Sequence, residues 1–564
     1  MKTKTNKKYK NNITKKQLHK KHLHYKLSHK KHSKQKYRSK RIRKFGGMMN
    51  EEEPENEEDE RNRLIPRNPV PIITSKEQLK QAVDHIYGMN DSDSWKEHLI
   101  GELNFQVEDM SNLFKDMRRF NFNLDKWKEK MQYVKNMSRM FHNCLRFNQD
   151  LSSWGPYLTN VENMSSMFDN CQNFNKSLKG WNTYLNNVTN MSYMFRNCFK
   201  FNQPMNRWNS GFDRLTNTKG MFYNCRNFDQ QLTSFCKILG NVTDMSYMFN
   251  GCTNFNKPLN AWSSYIRNVK NMTGMFTDCQ SFNYPLDAWG YGLNEVTDMG
   301  SMFNGCKKFN QNLNSWGPKL TKLTNMNNMF GGCVEFNQPL DNWGEYLLNI
   351  NTIWGMFDNC KKFNQPLNSW GPKLTNVIDM NSMFAECVEF DQPLNNWSEY
   401  LTNVVTMEEM FINCRKFNQD LNSWGPHLVN IRYLHNMFRG CERLNSDFSK
   451  WASVFNDYND NLVHAAYMFS GCTAFQGRGL ETWKLPNSLI HIRNEVIDPE
   501  HEDLERDPII NMLWHTNITR PLPWKMDDTP EQTQLFNDIT VRVGTNREGQ
   551  PITFIYEETG PILK

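Results

Sequence analysis

Residues 187–211 read NVTNMSYMFRNCFKFNQPMNRWNSG, and this stretch decides the fold. Met191, Met194, Phe195 and Cys198 fall at the spacing of one helix face. Asn190 stands just before them, where a side-chain oxygen accepts the free amides of a first turn. Asn197 precedes the Cys and tolerates the left-handed conformation that closes a helix. Together these residues predict a short helix of about two turns. Phe201, Asn202, Pro204, Met205 and Trp208 follow. The position of Met205 is usually Leu, as in Leu259 and Leu367, and the run from it to the Trp predicts a short strand. Pro recurs at 204, 258, 285, 339, 366 and 393. Having no amide hydrogen, it must lie just outside a strand ladder.

The stretch repeats. Phe114, Phe141, Phe168, Phe195, Phe222, Phe249, Phe276, Phe303, Phe330, Phe357, Phe384, Phe411 and Phe438 recur every 27 residues, and Phe469 follows after 31. A register kept without insertions means that each unit is one coil stacked on the next. The expected architecture is an α/β repeat solenoid of about 14 coils, each a short helix plus a short parallel strand. Strands stacked roughly 4.8 Å apart give a rod on the order of 65–70 Å.

The ends differ from this body. Residues 1–45 hold 16 Lys, 3 Arg and no acid, so a net charge of +8 hides an acidic remainder. Residues 1–47 read as a disordered basic arm. An acidic and then Pro-rich linker occupies 48–72. An N-terminal helical cap is expected over 73–104, where Thr74-Ser75-Lys76-Glu77 precedes Leu79, Ala82, Val83 and Ile86. The solenoid is assigned to 105–485. A C-terminal cap or small module takes 486–564, with a hairpin read from the alternation over 538–557. The Gly46-Gly47 pair is a conceivable processing point. No window is apolar enough for a membrane span, and no apolar stretch follows the basic start. The expectation is residence inside a cell, cytoplasmic or nuclear, or association with a virion, with cysteines reduced.

Most regular positions have a structural use. Thirteen of the 14 Cys share one repeat position, Met117 fills it in the first unit, and Cys236 lies elsewhere. One Cys per coil without paired ligands reads as a buried apolar slot, and no metal site is expected. The Trp column from Trp127 to Trp483, interrupted by Phe235, reads as core rather than as a stacking platform. The Asn column, including Asn148, Asn175, Asn202 and Asn256, is expected to bond backbone groups of its own and the next coil. The sequons at Asn136, Asn163, Asn187 and Asn241 belong to the start of each predicted helix. Lys308, Glu335, Lys362, Glu389 and Lys416 alternate in sign from coil to coil, a charge ladder in which a slip by one coil sets like against like. Tyr157, Tyr184, Tyr265, Tyr346 and Tyr400 recur three residues past the Trp and form the candidate interaction surface.

The run Asn-Met-Ser-x-Met-Phe followed by Phe-Asn-Gln-x-Leu-x-x-Trp resembles the repeat of the BspA-type leucine-rich-repeat-like surface proteins. That repeat also occurs in mycoplasma lipoproteins of unknown function and in large DNA viruses. The resemblance covers roughly residues 74–485. It implies a leucine-rich-repeat-like solenoid and, by the bacterial relatives, adhesion at a host surface. The residues carry no phosphate-cradling loop, zinc motif or nucleophile elbow, so no enzyme and no cofactor are expected. The leading expectation is a protein-interaction scaffold with an unknown protein partner. The alternative is binding of nucleic acid or an anionic membrane surface through residues 1–45.

Overall fold

A repeat this short must satisfy every backbone amide within its own coil or in the two coils beside it. The computed structural model describes residues 72–456, 461–462, 464–483, 516, 555–557 and 560–562, all within one unit, Pro71–Lys564. The basic arm, the linker and most of the C-terminal region lie outside the described residues.

The coils solve the amide problem with tight turns in place of the expected helix. In the coil of Phe195, Met194 N–H donates to Met191 O at 3.2 Å, and Cys198 N–H to Phe195 O at 3.0 Å. Tyr193 and Asn197 sit at φ 56° and 58°. A left-handed third residue makes each of these a type II turn. The amides between these bonds leave the coil: those of Met191, Tyr193, Phe195 and Asn197 donate to the carbonyls of Asn217, Lys219, Met221 and Tyr223 at 2.7–3.0 Å. A two-turn helix would spend its amides on itself and leave nothing to join neighbouring coils. The double turn keeps the same four apolar side chains inside and sends alternate amides to the next coil. That is why it replaces a helix with the same apolar spacing.

The predicted strand is replaced too. From Leu to Trp the chain makes a single 3-10 turn, as over Ser152–Tyr157 and Asn314–Lys319. Pro156 and Pro318 sit inside these turns, where a fixed φ and a missing amide cost little. Parallel pairing survives as one residue per coil. Asp109, Asn136, Asn163 and Asn190 form successive single bridges, and the series runs unbroken to His464. Sequential stacking of about 27-residue units therefore makes a solenoid whose coils are joined mainly at the double turn.

The interior is a set of columns. Val188, Met191, Met194, Phe195, Cys198, Phe201, Met205 and Trp208 are at most 1 % exposed. Phe168 and Phe195 stack across coils at 5.7 Å and 5°, and Phe195 stacks on Phe201 within its coil at 4.3 Å. Burying such a side chain is worth roughly 1.5–3 kcal/mol, but only once a neighbouring coil covers it.

At the first coil that neighbour is the cap. Helix α1 (Lys76–Gly88) starts at Ser75, whose side chain accepts the Gln78 amide, and it buries Leu79, Val83 and Ile86. Helix α2 (Asp93–Glu102) follows, unannounced by any strong periodicity. Its Ile100 carbonyl accepts the Trp127 indole N–H at 2.8 Å, taking the part that a Leu carbonyl of the preceding coil plays elsewhere. In the C-terminal region, strands β1 (Ile555–Glu557) and β2 (Gly560–Ile562) pair antiparallel, Ile555 opposite Ile562. This pairing overlaps the hairpin expected over 538–557 only at 555–557, and the rest of that hairpin falls outside the described residues.

Candidate interaction surface

Three ladders show why the regular polar residues are regular. Each column Cys donates its thiol to the carbonyl of the repeat Phe one coil back, as from Cys306 to Phe276 at 2.9 Å. Between the first and last of the column, each buried Trp donates its indole N–H to the corner Leu one coil back, as from Trp316 to Leu286 at 2.9 Å, while Trp127 and Trp483 reach Ile100 and Phe448. Each column Asn accepts the amide of its counterpart in the next coil; Asn202 N–H reaches Asn175 Oδ1, and Asp229 N–H reaches Asn202 Oδ1. Most of these Asn are half-buried at the coil edge, and Asn283 and Asn418 are exposed. Asn190 does not cap a helix; its Oδ1 accepts the Ser192 amide two residues on, a local turn of the Asx kind. The thiols are buried, and burial pushes them up out of their ordinary range. Among the described residues no group of three or more His, Cys, Asp or Glu could hold a metal ion, and no helix is long and apolar enough to cross a membrane.

The predicted surface residues are only partly assembled. Tyr157, Tyr184, Tyr265, Tyr346 and Tyr400 are all half-buried, and Tyr157, Tyr265 and Tyr400 pack against the core. Only Tyr157 and Tyr184 stand on adjacent coils, so the five make no continuous strip. In the charge ladder, Lys362 pairs with Glu335 at 2.5 Å and Lys416 pairs with Glu389. Lys308 belongs to neither pair. The alternation thus yields two exposed ion pairs.

The surface with chemical variety is the double-turn face. Its four outer positions in the coil of Phe195 are Ser192, Tyr193, Arg196 and Asn197. The second and fourth are left-handed in every coil, from Asn112 and Asp116 to Tyr467 and Gly471. The frame is constant while the side chains change. No simple residue preference marks the second position, which holds Arg139, Tyr193 and Glu409 as well as Gly220. What signals it in the sequence is variability inside a fixed period.

Along this face the chemistry changes by region. The early coils are aromatic and basic. The Arg196 guanidinium lies 5.2 Å from the Tyr193 ring centre, and Lys219 Nζ lies 5.7 Å from that of Tyr247. Arg196 also grips Asp169 through two bonds of 2.9 and 2.6 Å, and His142 meets the same carboxylate at 3.0 Å. Burial alone would raise Asp169, but these hydrogen bonds outweigh it and hold the carboxyl below its usual range. The middle coils carry small neutral groups. There Gly251 sits between Asn224 and Asp278 and opens a polar notch of about 610 Å³, with Arg226 and Gln280 on its walls. The late coils are apolar and acidic. Trp354 is 40 % exposed, and Ile378, just before the double turn of the next coil, is 52 % exposed. Asp358 is pushed up to about 6 by burial and by the charges of Glu386 and Glu409.

The buried Trp column offers no stacking surface to bases or sugars. No curated protein matches the chain. A family profile described as a Mycoplasma protein of unknown function, DUF285, matches residues 80–159, 157–238, 212–293, 238–343, 290–397 and 351–483. These matches overlap without a gap across the whole cap-proximal and repetitive region, and so the chain belongs to that Mycoplasma-type repeat family, DUF285, whose function is unknown.

Proposed function

We propose that this chain is a non-enzymatic scaffold that holds protein partners on the double-turn face of its coils. One observation carries the reading: four outer positions per coil vary in charge, size and aromaticity on a backbone that repeats without change. Repeat proteins of this construction use an extended surface to bind, because each coil offers an independent set of contacts on a rigid frame. The resemblance to BspA-type leucine-rich-repeat-like proteins supports the same use, with adhesion to a surface as its most specific form.

The rival reading rests on the charge of residues 1–45, which suits nucleic acid or an anionic membrane. Affinity capture separates the two. The full chain and a version beginning at residue 63 are compared for the proteins they retain. A scaffold retains the same partners without the arm. Loss of every partner on removing the arm would sink the scaffold reading.

A further inference from the structure

We infer that the surface formed by the late double turns around Trp354, with Ile378 just before the double turn of the next coil, is a docking site for a lysine- or arginine-rich peptide segment that carries an apolar anchor. The inference rests on the scaffold reading and names the partner chemistry of one region of it.

The apolar half of the argument is exposure. Trp354 and Ile378 are large apolar side chains left 40 % and 52 % exposed, whereas the column residues of their coils, such as Phe357, Trp370, Phe384 and Trp397, are fully buried. Val405 and Ile412, half-buried, continue the apolar surface on the next coil. The backbone holds these coils in register: Val405 N–H donates to Ile378 O at 2.9 Å, and Thr352, Asp379 and Thr406 form successive bridges. Trp is the residue most enriched where binding energy concentrates, since one rigid side chain supplies a large contact area.

The electrostatic half decides the occupant. Asp358, Glu386, Glu408 and Glu409 flank the apolar residues on three successive coils. Their hydrogen bonds go to neutral groups. Asn413 donates to Glu386, Ser382 and Asn436 to Glu409, and Asn381 to Glu408. Among the described residues none of the four acids takes part in an ion pair, whereas Glu335, Glu389 and Glu442 on nearby coils each meet a Lys or Arg. Like charges held together without a counter-ion repel one another, and a bound cation relieves that repulsion. A basic segment therefore gains here from neutralisation as well as from burial of an apolar side chain against Trp354. An acidic or purely apolar partner gains only one term or loses both.

The test uses the full chain and a fluorescein-labelled Lys-Leu-Lys-Lys-Leu-Lys-Lys-Leu-Lys peptide, read by anisotropy. Two control peptides replace every Lys by Glu or every Leu by Ser. Binding of the first peptide should weaken about tenfold in the Glu386→Gln/Glu408→Gln/Glu409→Gln variant and about fivefold in Trp354→Ala. The Glu335→Gln/Glu389→Gln/Glu442→Gln variant makes the same charge change outside the patch and should bind like the parent. Both control peptides should bind more weakly. Equal losses in the two triple variants, or no loss in Trp354→Ala, would overturn the assignment. A captured partner that footprints elsewhere on the double-turn face would also overturn it, while leaving the scaffold reading intact.

Discussion

Tyr193 lies with its ring across Gly220 of the next coil, so closely that an added Cβ at Gly220 would fall 2.3 Å from a ring carbon. Gly220 itself is at φ +56°. A Gly220→Ala change therefore meets two costs, a left-handed backbone and a displaced ring. The pair should cost about 1–3 kcal/mol, and in a Tyr193→Ala background only the backbone part, about 1 kcal/mol, should remain. Thermal melts of the four proteins of this cycle measure both. Asp358 gives a second test at this scale. Its pKa rises from 3.8 to about 6 on folding, so the folded chain binds the proton more tightly than the unfolded one. The stability this group contributes is fully present below about pH 4 and is lost as pH rises through 6. Asp358→Asn should thus raise the melting temperature by about 1–3 °C at pH 7.5 and leave it nearly unchanged at pH 4. A variant that gains nothing at pH 7.5 would show that the crowding of Asp358, Glu386 and Glu409 is relieved in solution.

The coil is the element of this molecule, and its polar columns set what each coil tolerates. Asn202 accepts both the Asp229 amide and the Gln230 side-chain amide. Asn202→Ala strands these donors and should cost about 1–2 kcal/mol. Asn202→Asp should cost far less, because Asp229 and Asp391 already accept the same amide in their own coils. Chemical denaturation with the two variants side by side checks the contrast. The thiol column predicts silence: buried, hydrogen-bonded and shifted upward, its thirteen thiols should resist maleimide at pH 8 while the chain is folded and react once it unfolds. Rapid native labelling of even a few column thiols would mean that the coils part readily.

The same columns show how far the residues could be read in advance. The period, the register, the buried Cys and Trp and the bonding Asn all follow from residue type at fixed spacing. The helix does not form because Met191, Met194, Phe195 and Cys198 occupy one face of a helix and the inside of a double turn equally well. Asn197 carries the left-handed signal, but Tyr193 does not, and the first turn depends on Tyr193. Periodicity along one coil cannot say whether its amides bond within it or to the next coil 27 residues away. The five candidate Tyr share a place in the period but not successive coils, since only Tyr157 and Tyr184 are 27 residues apart.

Over the whole solenoid, one backbone frame carries regions of different chemistry: aromatic and basic near Tyr193, polar around Gly251, apolar and acidic near Trp354. On the proposed scaffold reading, partners meet the positions where side chains vary, not those that the period repeats. The residues outside that face, such as the 73 % exposed Tyr291 and the 55 % exposed Val429, serve as internal controls. The most direct measurement is hydroxyl-radical footprinting of the full chain, free and bound to a protein it captures. Protection should fall on double-turn side chains such as Tyr193, Tyr223, Tyr247, Trp354 or Ile412, with Tyr291 and Val429 unchanged. Protection confined to residues 1–45, or to Tyr291 and Val429, would contradict it.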